Sequence, residues 1–297
     1  MAGRGCSPFL HLVFACYYGQ PSEGHENWLG TDDALADPQL NPVLSEDDAF
    51  YLPVAPDAYS LVDDGGLEET GNFQYHCIEL DEKEFMRKCK SSDGTPNVAM
   101  TVLLCRAIRR FQKWSGTLGK VPVINMSADL RPCLGNVNTH WNTIADLHLP
   151  FDERMEGLDF TSQCTIMRGR LFLESDVDTL RLQASRIGQT IAEANQLSTF
   201  EEKDCFYHYQ HELTHSRSTA LVSYVGVFPF GDLINSHIVR TQALLQTVWA
   251  MLQVEINVAS GRFFLTWMQK FKDETLLRLF LDELRCIGLS PIVTAHD

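Results

Sequence analysis

Residues 120–135, KVPVINMSADLRPCLG, restrict the fold more than any other stretch of this chain. Their first half is short, apolar and rich in β-branched residues, a pattern that predicts a buried strand. Pro132 ends the regular pairing because proline has no N–H to donate. Arg131 stands at the end of this strand and needs a carboxylate partner, because a buried unpaired charge is costly. We therefore expect the chain to be organised around this strand.

The charge balance argues against several classes of partner. The formal net charge is −15, which disfavours binding to nucleic acid and to anionic membranes. No apolar run is long enough to span a bilayer. The nine cysteines are scattered singly, without a CxxC pair, as is typical of reduced thiols in the cytosol. We predict a cytoplasmic protein with no nucleic-acid partner and no membrane span.

The N-terminal part of the chain contains two kinds of segment. Residues 8–18 predict an amphipathic helix; a short lipoprotein-type signal ending at Cys16 is the alternative, although His11 interrupts its apolar stretch. Residues 20–71 hold five prolines and many acidic side chains. They predict a long acidic crossing segment that is partly irregular.

Regular elements follow that segment. Besides the strand within 120–135, the patterns predict strands at 73–80, 143–149, 219–225, 248–258 and 263–271, and helices at 81–94, 95–116, 154–174, 178–195, 198–215 and 273–286. Asp81, Thr95 and a Ser198/Glu201 capping box provide helix starts. Strict alternation across 248–258 predicts a half-buried strand. The order of elements predicts an α+β fold with a mixed β-sheet and flanking helices.

Two short motifs are candidate catalytic or metal-binding groups. His211, Glu212 and His215 form a literal HExxH, in which two imidazoles on one helix face can bind zinc while the carboxylate acts as base. A polar stretch follows it and no third ligand is evident, so we favour a polar helix end without metal. His148 and Asp152, four residues apart, are a candidate catalytic pair. The alternative we favour is a surface loop histidine and an acidic helix cap.

Three further segments resemble the chloramphenicol-acetyltransferase-like superfamily, which includes peptide-synthetase condensation domains and alcohol acetyltransferases. The sequence ADLRP at 128–132 resembles the NLRP strand of that group. The sequence SYVG at 223–226 resembles its SNxG strand end, with Tyr224 in place of the usual Asn, and FGD at 230–232 resembles the turn that follows. The similarity covers most of the chain in order. It implies the same fold.

The beginning of the chain departs from the family pattern. Members carry HHxxxDG, in which the second His is the general base and the Asp is held by the Arg of the LRP strand. Gly3 matches the Gly of this motif, Ala2 stands where the Asp would be, and both histidines are absent. The resemblance therefore implies an incomplete N-terminal subdomain and an Arg131 that has lost the carboxylate partner of the family. Either water reaches Arg131, or a local acid such as Asp129 takes the place of that partner.

The resemblance also implies a domain division. Residues 1–117 would be the remainder of the N-terminal acyltransferase subdomain, including the acidic crossing segment 20–71. Residues 118–297 would form a C-terminal acyltransferase-like subdomain.

The implied function is transfer of an acyl group from a thioester to a hydroxyl or amine of a small-molecule acceptor. Acyl-coenzyme A or an acyl-carrier protein would be the co-substrate, with no bound cofactor. Ser223 and Gly226 match acyl-tunnel or oxyanion positions, and Gly3, Arg131 and Asp232 match structural ones. Because the general base is absent, we expect no activity from this chain alone unless a missing N-terminal half is supplied. The alternatives are a non-catalytic remnant or binding module of the same fold, and an HExxH zinc metallopeptidase.

Overall fold

The computed structural model describes residues 3–19, 35–36, 41–43, 57–135, 143–215, 217–228, 230–244 and 250–296, without the side chains of residues 3–9, 211–215 and 295–296. Much of the predicted crossing segment 20–71, the turn residues 136–139 and the first part of the predicted strand 248–258 lie outside these residues.

The described residues form helices and strands in a mixed order. The helices are α1 (Gly3–Tyr17), α2 (Glu82–Ser91), α3 (Pro96–Ser115), α4 (Phe160–Glu174), α5 (Val177–Gln196), α6 (Phe200–His215), α7 (Gly231–Asn235) and α8 (Thr275–Cys286). The strands are β1 (Glu69–Asp81), β2 (Val123–Asp129), β3 (Ile144–Pro150), β4 (Ala220–Val227), β5 (Leu252–Ala259), β6 (Arg262–Phe271) and β7 (Ile292–His296). Each described helix falls short of the length or apolar character that a membrane crossing requires.

All seven strands belong to one sheet in the order β3-β2-β4-β5-β6-β1-β7. The pairs β2–β4 and β4–β5 are parallel, and the other neighbouring pairs are antiparallel. The predicted α+β class with a mixed sheet is confirmed. Strand β1 lies between β6 and β7, so strands from both sides of residue 117 share this sheet. The division into 1–117 and 118–297 stays a prediction.

The main apolar core lies on one face of the sheet. Val254 and Ile256 of β5, together with Leu265 and Trp267 of β6, join a buried cluster that includes residues of α3 and α8. The Trp267 ring packs against Phe280 of α8 at 5.2 Å between centroids. Because successive side chains of a strand point to opposite faces, the other residues of β5 and β6 face away from this core.

Several local predictions are confirmed. The Asp81 carboxylate accepts a hydrogen bond from the Glu84 N–H, and Thr95 caps the start of α3 with proline at the first helical position. Gly116 ends α3 at φ 73°, a conformation that favours glycine because it has no Cβ.

Other local predictions are wrong in detail. The capping box of α6 is Thr199 with Glu202, one residue later than predicted: Thr199 Oγ1 accepts from the Glu202 N–H, and the Glu202 carboxylate accepts from the Thr199 N–H. The predicted helix 154–174 divides into a 3-10 turn at Glu153–Met155 and α4, because Gly157 adopts φ 79° and Asp159 caps a new start. Strand β7 was not predicted.

Strand β5 differs from its prediction in a way that matters for function. It is buried along nearly its whole length, whereas alternation predicted one solvent-facing side. Strands β4 and β6 pair with its two edges. The polar residues of its second face, Gln253, Glu255 and Asn257, are also no more than 1% exposed.

Candidate functional site

The end of β4 has an irregular register beside the candidate tunnel residue Ser223. Ser223 pairs with Glu255 of β5, and the register shifts between Tyr224 and Gly226. Gly226 adopts φ 71°, and a Cβ at this position would lie only 3.2 Å from the Tyr224 ring. A larger residue would be strained here. Position 226 therefore favours glycine, and the bulge changes the register of β4 against β5 after Tyr224.

A row of polar side chains lies on the sheet face away from the apolar core. We call it the polar face and define it as Asn125 of β2, Ser223 of β4, Glu255 and Asn257 of β5, and Thr266 of β6. Glu255 stands between its cross-strand partners Ser223 and Thr266. Asn125, Asn257, Thr266 and Glu255 are each no more than 1% exposed.

Most of these buried groups lack hydrogen-bond partners. Within the described part of the chain, both amide atoms of Asn125 and of Asn257, the hydroxyl of Thr266 and the Oε2 of Glu255 have no hydrogen-bond partner. A buried polar group without a partner costs about 1–3 kcal/mol. In native proteins such groups ordinarily bind water, an ion or a ligand. The polar face thus combines several buried groups that are free to form hydrogen bonds with a polar ligand.

Glu255 is the titratable group of this face. Burial raises the pKa of Glu255 to about 7, and the hydrogen bond with Ser223 offsets only part of that increase. Desolvation disfavours the charged form of a carboxyl group. The side chain is therefore poised to exchange a proton near neutral pH.

Arg131 has a carboxylate partner within the chain. Its Nη1 lies 3.1 Å from Asp129 Oδ1, and its backbone N–H donates to the same oxygen at 3.0 Å. Both side chains are partly exposed, at 18% and 28%. Of the two alternatives for Arg131, the local acid is therefore the one present, two positions earlier at the end of β2.

Replacing Arg131 with methionine is expected to lower the free energy of unfolding by no more than about 1 kcal/mol, because partly exposed ion pairs contribute little. Urea denaturation of the two proteins measures the difference. Asp129→Asn, which keeps the shape and removes the charge, should give a similarly small loss. A loss of about 3–5 kcal/mol for Arg131→Met would contradict this view and indicate a fully buried partner.

Comparison with solved structures shows similarity along most of the chain. F. graminearum TRI101 complexed with coenzyme A and T-2 mycotoxin superposes with a TM-score of 0.58 and 12% identity, over 98% of this chain and 64% of that one. The epimerization domain from the third module of tyrocidine synthetase B gives 0.52 and 12%, over 95% and 65%. The nonribosomal peptide synthetase FmoA3 gives 0.52 and 14%, over 86% and 25%. The chain has the chloramphenicol-acetyltransferase-like fold.

These similarities have two limits. The chain spans less than two thirds of the length of each of these three proteins. No family model matches the sequence, and no curated protein matches it.

Gly3 and Asp232, which match structural positions of the chloramphenicol-acetyltransferase-like pattern, lie on neighbouring helices. Gly3 is the first residue of α1 and Asp232 the second residue of α7, where it is exposed. The two helices share a small apolar cluster that contains Ala15, Phe230 and Ile234. The sequence segments that resemble the family at 3 and 230–232 therefore belong to helices that pack together.

His148 is part of strand β3 rather than a surface loop. Burial, and secondly the nearby cation Arg217, lower the pKa of His148 to about 4. Its Nδ1 lies 3.4 Å from Ser218 Oγ. The imidazole is therefore neutral at pH 7 and a weak base.

The Asp152 carboxylate pairs with Arg154 and Arg170 rather than with His148. It accepts hydrogen bonds from the Arg154 N–H and from Arg170 Nη2, at 3.1 and 2.6 Å, and it caps the 3-10 turn as predicted. Hydrogen bonds to Arg154 and Arg170 help to lower the pKa of Asp152, although burial opposes them. Across the described residues no hydrogen bond or ion pair joins Asp152 to His148. The candidate pair is not assembled.

The HExxH residues His211, Glu212 and His215 lie at the end of α6, but their side chains are outside the described ones. In the part of the chain whose side chains are described, no three His, Cys, Asp or Glu come close enough to hold a metal. The proposed absence of a zinc site stays a prediction.

Sequence reasoning missed Glu255 and Asn257. Both occupy alternate positions of the predicted strand 248–258, which the pattern assigned to solvent. The useful clue was chemical: a Glu and an Asn two apart, between apolar neighbours such as Ile256. The residues of a strand can be buried on both faces of the sheet, and alternation alone cannot distinguish such a strand from a half-buried one.

Proposed function

We propose that this chain forms the thioester-binding part of an acyltransferase. That enzyme would transfer an acyl group to a hydroxyl or amine of a small-molecule acceptor. The donor would be acyl-coenzyme A or an acyl-carrier protein. The buried polar face carries this proposal, since it offers unpartnered hydrogen-bonding groups beside Ser223. The fold supports it, because TRI101, whose complex contains coenzyme A, matches 98% of this chain.

Ser223 is the proposed donor to the acyl oxygen, with its single hydroxyl proton turned from Glu255 to the acyl group. Acyl transfer builds negative charge on that oxygen, and a positioned hydrogen-bond donor stabilises it most in the transition state. Ser223 is half-buried in the middle of β4, and the register of β4 against β5 shifts between Tyr224 and Gly226. Gly226 would keep the path of the acyl group free of a side chain.

The general base of the reaction would come from outside the 297 residues of this sequence. The reaction requires a group that takes a proton from the acceptor as it attacks, and neutral imidazole is best suited near pH 7. HHxxxDG does not occur in the 297 residues. His148 does not replace it, because its pKa is about 4 and it hydrogen-bonds with Ser218 within the sheet.

The purified chain is therefore expected to bind coenzyme A thioesters without turning them over. Calorimetry with acetyl-coenzyme A measures binding, and thiol release with a panel of alcohols and amines measures transfer. Thiol release should match that of the heat-inactivated chain. A longer product with an in-frame HHxxxDG should show turnover, and Ser223→Ala should reduce that turnover roughly 100-fold.

The outcomes separate the alternatives. Absence of thioester binding, tested also with a phosphopantetheinylated carrier protein, would overturn the proposal. Binding without turnover in a longer product would favour the non-catalytic binding module. Turnover by the 297-residue chain that His148→Ala abolishes would show that His148 is the base after all.

A further inference from the structure

Glu255 is a buried carboxyl group without a cation. Among the described residues, no Lys, Arg or His forms an ion pair with it, and Ser223 is its hydrogen-bonding neighbour. Buried carboxylates are ordinarily paired with a cation or stay protonated, because isolated buried charge is costly. Its second oxygen, Oε2, has no hydrogen-bond partner. The Oε2 atom of Glu255 can therefore accept a hydrogen bond from a positively charged ligand.

The strands on either side of β5 carry their charged side chains at the two ends of this face rather than beside Glu255. By register, β4 contributes Leu221 and Ser223, and β6 contributes Arg262, Phe264, Thr266, Met268 and Lys270. Arg262 lies 3.6 Å from Glu79 of β1, and Lys270 lies 4.0 Å from Glu69. Arg240 interacts with Glu79 and with Cys77, the β1 residue paired with Thr266. Glu255 is therefore the ionisable group at the middle of the polar face among the described strands.

The neutral groups around Glu255 are arranged for a small polar ligand. The Thr266 hydroxyl and both polar atoms of the Asn257 amide are buried and form no hydrogen bond with any residue that the structure describes. Thr266 is opposite Glu255, and Asn257 is two residues along the same strand. Hydroxyl and amide groups both accept hydrogen bonds, so together with the carboxylate they match the three N–H groups of a primary ammonium.

We propose that the polar face binds a primary amine, held by Glu255, Asn257 and Thr266. This inference rests on the proposed function in that the ligand would be the acyl acceptor. The bound ammonium must first give one proton to the general base, and the free amine then attacks the thioester carbonyl. A glutamine would serve an alcohol equally well and would avoid burying an ionisable group. A carboxylate distinguishes an ammonium from an alcohol, because hydrogen bonds between charged groups are the stronger ones.

The test uses n-butylamine and n-butanol as probes of equal length, with calorimetry on the purified chain. At about pH 8, n-butylamine should bind about tenfold tighter than n-butanol, as expected for a charge-assisted hydrogen bond. Glu255→Gln should abolish this preference. Glu201→Gln, which removes the same charge from an exposed position of α6, should keep it. In the unmodified chain the affinity for n-butylamine should fall several-fold at about pH 6, because the carboxylate must first lose a proton.

Equal affinities for the two probes, an unchanged preference in Glu255→Gln, or no saturable binding of n-butylamine would each overturn the inference. The pH comparison needs no substitution, so it decides the matter if Glu255→Gln does not fold. Thiol release is measured separately. Amine binding without transfer in a longer HHxxxDG product would reject the proposed function while this site stands, and transfer to alcohols without amine binding would do the reverse.

Discussion

Glu255→Gln is expected to raise the free energy of unfolding by about 3 kcal/mol at pH 8 and by less than about 1 kcal/mol at pH 5. Burial raises the folded-state pKa of Glu255 from 4.5 to about 7. An acid with a raised pKa binds its proton more tightly in the folded state. Its contribution is present at low pH and is lost as pH rises through 7, because the folded state must then bury a charge. Glutamine has a similar shape and never ionises.

Urea denaturation at both pH values measures this effect. Glu201→Gln removes an equal charge from the exposed side of α6 and should change stability by no more than about 0.5 kcal/mol at either pH. A stabilisation by Glu255→Gln that is the same at pH 5 and pH 8 would contradict the assignment. It would show that Glu255 does not titrate differently in the folded and unfolded states.

Trp267→Ala is expected to lower the free energy of unfolding by about 3–5 kcal/mol, the range for removing a large aromatic side chain from a core. Trp267 is 0% exposed and packs against Phe280 of α8. Its Nε1 donates a hydrogen bond to Gln269 Oε1 at 2.7 Å. The substitution removes both the packing between sheet and helix and the donor for a buried acceptor.

Trp114→Ala is the matched control for this substitution. Trp114 is 64% exposed near the end of α3, so its loss should cost less than about 1 kcal/mol. Denaturation followed by far-ultraviolet circular dichroism compares the two variants, since tryptophan fluorescence differs between them. Equal losses would show that Trp267 is not a central part of the core between the sheet and α8.

Features governed by neighbouring residues could be predicted from the sequence. Asp81 and Thr95 start their helices, and Gly116 ends one, because capping depends on a few adjacent backbone groups. The turn between β5 and β6 was also predictable: Ser260 and Gly261 both adopt positive φ, as a tight two-residue hairpin requires. The strand ending in ADLRP and the α+β class followed from the same local patterns.

Contacts between distant segments decided the rest. No local pattern placed β1 between β6 and β7, because strand order depends on pairings across nearly 200 residues. Arg131 is the local exception, because its partner Asp129 lies only two residues earlier and was one of the two alternatives that the sequence offered.

The polar face depended most on tertiary structure. The sequence alone determined that Glu255 and Asn257 share one side of a strand, because side chains alternate along it. Only the fold placed that strand between β4 and β6 and enclosed its polar side. Burial withdraws water from these groups, and the loss of hydration turns an ordinary surface glutamate into a group that titrates near neutral pH.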